Sequence, residues 1–194
     1  MGVTPDGRSV MTSTPDLFLT FEEYLELECA SDLRHEYVGG RMFAMAESTD
    51  AHNVLTGNIL ALLHGLARET GCRAYAIQMK LRLAQSVYYP DVMVTCEPYS
   101  AKSLYKQSPC LVVEVISPSS EIVDRREKLA AYKQLPSVMD YLVVYQDLVK
   151  VEHYLRSGNA WQMRVLTTGV IKLVALGEPE LELSAIYEGT DLLA

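Results

Sequence analysis

Two carboxylates and one lysine are the residues of this chain best suited to chemistry. They are Asp91 in Tyr88-Tyr89-Pro90-Asp91, Glu114 in Leu111-Val112-Val113-Glu114-Val115-Ile116, and Lys128 in the helix-like run that follows. The Leu111–Ile116 run is apolar except at Glu114, the pattern of a strand covered on both faces. A lone buried carboxylate costs on the order of several kcal/mol unless positive charge meets it. Glu114 therefore requires a cation. That cation is either a side chain, with Lys128 the nearest candidate, or a divalent metal shared with Asp91.

The elements that must position these residues can be read from periodicity and punctuation. Thr20-Phe21-Glu22-Glu23 is a capping-box pattern and opens a short helix to Glu28. Two short runs, 34–38 and 41–46, joined by Gly39-Gly40, predict a hairpin. Ser48, Thr49 and Asp50 offer caps for a helix to about Glu69, with Leu55, Ile59, Leu62, Leu63 and Leu66 at helical spacing. Alternation predicts one strand over 75–83, Ala84-Gln85-Ser86 turns the chain into a second over 88–95, and the 111–116 strand follows. A helix then runs to Leu135, where Pro136 forbids continuation, and it starts either at Ser117 with Pro118 or at Asp124 capped with Glu127. The remainder reads as strands over 141–145, 149–155, 161–166 and 171–174. Residues 1–16, rich in Ser, Thr, Pro and Gly, are expected to be a tail before one α/β domain spanning 17–194, a mixed central sheet flanked by helices.

With 194 residues, 49% of them apolar, the chain can build a sizeable core. The net charge of −8 excludes a protein that wraps nucleic acid with its whole surface. The charge is uneven, however. Residues 71–135 carry nine basic and six acidic side chains, a positive balance that neither flanking segment has. A local basic groove on an acidic protein is compatible with a polyanionic partner. No long apolar segment and no apolar leader is present, so neither membrane insertion nor secretion is expected. Cys29, Cys72, Cys96 and Cys110 form no C-x-x-C pair and read as reduced core residues of a cytoplasmic protein.

Together these residues carry a resemblance. Pro90-Asp91, Glu114 and the order helix, three strands, helix, strand resemble the PD-(D/E)xK nuclease superfamily. More closely, the chain resembles the Uma family of restriction-endonuclease-like proteins. The matching pieces are Glu36-Tyr37-Val38 with Gly40, His52 early in the long helix, Tyr89-Pro90-Asp91-Val92, Glu114-Val115-Ile116-Ser117-Pro118-Ser119, and Asp124-Arg125 with Lys128 and Tyr132. Two departures stand out: the superfamily's usual lysine position holds Ile116, the Uma-like pattern supplying Lys128 instead, and Gln78 stands where a carboxylate is common.

The resemblance implies a Mg²⁺-dependent endonuclease acting on DNA, with Mn²⁺ as a substitute metal. Its implied metal ligands are Asp91, Glu114 and the Val115 carbonyl, an oxygen set that suits magnesium. Lys128 would orient the attacking hydroxide or neutralise the phosphoryl group, Glu36 would contribute from outside the core, Gln78 would bond a water, and Tyr132 would brace Lys128. Because a duplex has two strands to cut, a C2 homodimer built on the aromatic C-terminal strands is expected.

Plainer readings stand beside these. Asp91 after a proline can cap a turn. Glu114 and Lys128 can form a purely structural pair, or Lys128 can pair with Asp124 on one helix face. His52 and His64 read as surface or capping histidines. The alternative functions are an inactive DNA-binding or protein-interaction module of the same fold, and a phosphodiesterase acting on RNA or nucleotides. A catalytic Lys128 is expected in a wet cleft.

Overall fold

The structure is a computed structural model that describes residues 18–45, 47–76, 78–116 and 124–193. The expected tail and the Ser117–Pro118 helix start lie outside these residues, as does the Asp124 side chain expected to cap the alternative start.

Helix α1 (Phe21–Ala30) begins with the capping box read from sequence: Thr20 Oγ1 accepts the Glu23 N–H while Glu23 accepts the Thr20 N–H. Strands β1 (His35–Val38) and β2 (Arg41–Ala44) form the expected antiparallel hairpin. Gly39 and Gly40 both take positive φ, +56° and +88°, as a tight hairpin turn requires. Helix α2 (Asp50–Glu69) is capped by Thr49 and buries Leu55, Ile59, Leu63 and Ala67 in one stripe. Each large residue of that stripe contributes about 1.5–3 kcal/mol through its removal from water.

The 75–83 and 88–95 strands expected from the sequence are each broken in two. The chain instead forms β3 (Arg73–Ala76), β4 (Lys80–Arg82), β5 (Ser86–Tyr88) and β6 (Val92–Thr95), and the breaks carry it out of one sheet into another and back. Pro90 explains the second break, since it has no N–H to give a ladder. Asp91 is left at the corner, immediately before β6. Short β7 (Tyr105–Lys106) follows, then β8 (Pro109–Ile116), which is longer than expected.

A π-helical turn at Asp124–Lys128 leads into helix α3 (Leu129–Lys133). Strands β9 (Asp140–Tyr145), β10 (Val151–Ser157) and β11 (Ala160–Leu166) form an antiparallel meander. A small hairpin of β12 (Val170–Lys172) and β13 (Glu180–Glu182) precedes helix α4 (Leu183–Ile186); β13 was not anticipated.

The main sheet has the order β11-β10-β9-β8-β6-β3 and is mixed, because β8 and β9 run parallel while their neighbours are antiparallel. The parallel pair needs a crossover, and the segment containing α3 makes it. One face packs on α2 and the C-terminal hairpin through Val92, Val94, Leu111, Val113, Ile171 and Ile186. The other packs Met93, Val112, Ile116, Tyr141 and Val143 against Tyr132 of α3 and against Leu81 and Tyr88. Those last two belong to a second sheet, β2-β1-β5-β4-β7. The fold is thus α/β with a mixed central sheet, an N-terminal hairpin and C-terminal antiparallel strands, as expected. Among the described residues no helix is long and apolar enough to cross a membrane.

The cysteine reading is corrected. Cys72 and Cys96 form a disulfide, with Cα atoms 4.1 Å apart. The Arg73–Thr95 pairing of β3 with β6 sets their flanking residues opposite each other. Cys29 is exposed rather than in the core, and Cys110 is a free, half-buried thiol.

Candidate active site

Glu114 is 3% exposed, and the period-two geometry of β8 turns it to the same face as Val112 and Ile116. That is the face covered by α3. Its Oε1 accepts from the Tyr132 hydroxyl at 2.7 Å, and its Oε2 accepts from Lys128 Nζ at 3.3 Å. The same ammonium lies 2.9 Å from Glu36 Oε1 on β1 and 5.7 Å from the centre of the Tyr88 ring. Lys128 therefore ties the second sheet to the main one. At 6% exposure it is buried, not in the wet cleft expected from sequence, because the π-helical turn sets it against the sheet. Burial raises the Tyr132 hydroxyl well above the ordinary tyrosine range, and the Glu114 charge adds to the effect. Tyr132 accordingly stays a proton donor, and it braces Glu114 rather than Lys128.

Asp91 reaches the same end of the strands from the Pro90 corner. Continuing the register of Val92 opposite Val113 sets Asp91 opposite Glu114. Asp91 Oδ2 accepts the Val115 N–H at 2.7 Å, which holds the carboxylate against β8. The N–H and C=O of one strand residue leave on the same side, so the Val115 carbonyl faces the Asp91 side as well.

The other Asp91 oxygen lies 3.0 Å from His52 Nε2. His52 does belong to the capping turn of α2, its N–H bonded to Thr49 Oγ1, but its ring is spent on Asp91. Burial alone would lower its pKa; the hydrogen bond to Asp91 and the Asp91 charge outweigh that and raise it above the ordinary value. His52 Nδ1 is buried without a hydrogen-bond partner among the described residues. Sequence reasoning passed over this residue as a site member. Its signals were its place in the first turn of α2 and its match to the Uma-like pattern, and it was read as a surface or capping histidine.

Gln78 is not gathered in. It is exposed on the turn after β3 and makes no side-chain hydrogen bond to Asp91, Glu114 or Lys128 among the described residues. Asp91 also lines an open cleft of about 400 Å³, bounded by Asp32, Arg34, Glu47, Ser48 and Asn53.

The site thus offers two carboxylates and a carbonyl at the ends of adjacent strands, a third carboxylate on Glu36, and an ammonium between Glu36 and Glu114. Apart from the ammonium, its donors are hard oxygens, the class of ligand that a small divalent cation takes.

The chain is similar to known proteins over most of its length. The Uma2 family, described as "Putative restriction endonuclease", matches residues 21–185. Two uncharacterized proteins of Synechocystis sp. (strain ATCC 27184 / PCC 6803 / Kazusa) are relatives. One, slr1290, is 35% identical over 150 residues, covering 76% of this chain and 79% of its own. The other, sll1609, is 34% identical over 149 residues, covering 73% and 82%. The fold is similar to the crystal structure of a putative nuclease belonging to DUF820 from Anabaena variabilis ATCC 29413, with TM-score 0.71 and 15% identity over 87% of this chain and 97% of that one. With Lys128 on Glu114, with Asp91 on the adjacent Val115 N–H, and with the family matched over residues 21–185, the chain belongs to the Uma2 family of restriction-endonuclease-like proteins.

Proposed function

We propose that this protein is a metal-dependent endonuclease that hydrolyses DNA phosphodiester bonds. The observation that carries the reading is that Asp91 and Glu114 stand at the ends of two adjacent core strands, Asp91 bonded to the Val115 N–H next to Glu114 and Glu114 bonded to Lys128. Asp91, Glu114 and the Val115 carbonyl would hold Mg²⁺, or Mn²⁺ in its place. Such an ion, when bound, would polarise a phosphoryl oxygen and lower the pKa of an attacking water.

The protein's own residues do the positioning. The Val115 N–H and His52 fix both oxygens of Asp91, and Tyr132 fixes the rotamer of Glu114. Lys128 supplies positive charge where the phosphoryl group gains negative charge, and Glu36 holds that ammonium in place. Gln78, at the exposed corner, enters as a group that meets the substrate or its water from outside. A homodimer through β11 would supply two such sites for the two strands of a duplex. That strand ends the main sheet, with Met163 and Val165 exposed, so its outer edge is open to pairing. The proposed compartment is the cytoplasm.

The competing reading is a binding module of the same fold that has lost turnover. It draws on buried, apolar Ile116 at the superfamily's lysine position and on the engagement of Lys128 by two carboxylates. Cleavage of supercoiled and linear DNA with Mg²⁺ or Mn²⁺, compared between wild type and Asp91→Asn, decides between them. Cleavage lost in the variant supports the enzyme. DNA retained on a filter but left intact with either metal supports the binding module. Cleavage of RNA or nucleotide diesters alone would move the activity to a different phosphodiesterase.

A further inference from the structure

At the opposite ends of β6 and β8 from the carboxylates, three cysteines distant in sequence come together. Cys72 precedes β3, Cys96 follows β6 and Cys110 is the second residue of β8. The pairing of β6 with β8 jumps from Val94–Leu111 to Thr95–Pro109, and this bulge leaves Cys110 without an opposing residue. Its thiol bonds the Val94 carbonyl at 3.4 Å. The Sγ atoms of Cys72, Cys96 and Cys110 all lie within 4.8 Å of one another.

A disulfide uses only two of these sulfurs, and their spacing suits a further role. Thiolates at about 2.3 Å from a tetrahedral zinc ion stand roughly 3.8 Å apart. The trio is therefore close to the size of a metal-thiolate site once the Cys72–Cys96 bond is opened. Cys96 is exposed and admits a reductant, while Cys72 is buried and Cys110 half-buried. A groove of about 460 Å³ lined by His64, Arg68, Cys72, Arg73, Tyr75 and Tyr99 reaches Cys72 and leaves room for a fourth ligand. The two arginines there complement the negative charge of three thiolates on one divalent ion.

We propose that, once the Cys72–Cys96 bond is reduced, Cys72, Cys96 and Cys110 bind one thiophilic divalent ion of the Zn²⁺ class. This end of the sheet is then fastened by a disulfide under oxidising conditions and by a metal-thiolate centre under reducing ones. Reduction by a dithiol breaks the Sγ–Sγ bond, places two electrons and two protons on Cys72 and Cys96, and leaves the dithiol as its own disulfide. Metal binding then displaces the three thiol protons to solvent. Burial pushes the Cys110 thiol up to about 11, so without metal it is a poor nucleophile towards the neighbouring disulfide. A coordinated thiol loses its proton nonetheless.

The test uses the full chain and Co²⁺ as a spectroscopic probe. A water-soluble phosphine reduces the protein, taking oxygen from water to become the phosphine oxide, and is removed without air before titration. Reduced wild type is expected to develop a thiolate-to-cobalt charge-transfer band that saturates at one ion per chain and is bleached by Zn²⁺. Unreduced wild type should lack it, Cys110→Ser should lose it or require at least about tenfold more Co²⁺, and Cys29→Ser should keep it. The carboxylate site cannot imitate this signal because it has no sulfur. Cys110→Ser retains the disulfide pair and can be checked for folding by circular dichroism. Should it not fold, X-ray absorption of zinc-loaded wild type counts the sulfur ligands. Three sulfurs support the proposal. No band in reduced wild type, an equal band in Cys110→Ser, or two or fewer sulfurs overturns it.

Discussion

Replacing Lys128 by methionine separates the structural work of the buried ammonium from any catalytic work. The substitution keeps an unbranched side chain of similar length, so the loss is mainly electrostatic. Lys128 Nζ lies 3.3 Å from Glu114 and 2.9 Å from Glu36. At an effective dielectric constant of about 20, each attraction is worth roughly 5 kcal/mol before the cost of taking the ammonium out of water. Breaking a buried pair by removing one partner costs about 3–5 kcal/mol, because the other charge is left behind. Glu114 keeps its hydrogen bond from Tyr132, and Glu36 keeps some contact with water, so the lower end, about 3 kcal/mol, is expected. With a urea m-value of about 2–3 kcal/mol per molar, the denaturation midpoint should fall by about 1–1.5 M. The double variant Lys128→Met with Glu114→Gln should recover a large part of that fall, since the abandoned charge is gone. A midpoint within about 0.3 M of wild type for the single variant would refute the reasoning. It would mean that the carboxylates rehydrate freely and that the cluster is wetter than its burial indicates.

Three further outcomes are expected. Glu114→Gln should weaken Mn²⁺ binding by about tenfold or more, read by calorimetric titration with an uncleavable DNA duplex present; equal affinity in wild type and variant removes Glu114 from the ligand set. In the metal-free chain, the His52 ring should titrate above the ordinary histidine value of 6.5 and fall towards or below it in Asp91→Asn, followed by nuclear magnetic resonance. Because the folded pKa is the higher one, the His52–Asp91 contribution to stability is complete below that ordinary value and is lost as pH rises through the folded pKa; an unchanged His52 titration in the variant contradicts the pairing. Light scattering should give twice the 21.7 kDa chain mass, and Val165→Lys on β11 should return it to the chain mass. A wild type that stays at 21.7 kDa with DNA and metal present refutes the dimer and favours nicking of single strands.

Much of the fold was legible in the chain because its signals are local. The Thr20–Glu23 capping box, the Gly39-Gly40 turn, the apolar stripe of α2 and the buried run around Glu114 each depend on residues within a few positions of one another. So did the need of Glu114 for a cation, which follows from one carboxylate in an apolar strand. The two long strands of the middle segment were misread for the complementary reason. Alternation continues smoothly through 75–83, and nothing within it says that β3 and β4 pair with different sheets. Pro90 did carry such a signal, as a residue unable to pair in a ladder.

What only the tertiary structure decided is which distant residues share a place. From sequence, Lys128 could reach Asp124 as readily as Glu114; packing of α3 on the sheet brings it to Glu114 and Glu36 together, 14 and 92 residues away along the chain. His52 became a partner of Asp91 because α2 packs across the sheet end where the Pro90 corner lies. The cysteines give the sharpest case. Spacing alone argued against a disulfide or a metal, yet the β3–β6 register and one bulge in β8 bring three sulfurs within 4.8 Å of one another. Strand register is set by hydrophobic packing summed over the whole sheet. A contact that depends on register therefore leaves no local trace in the sequence.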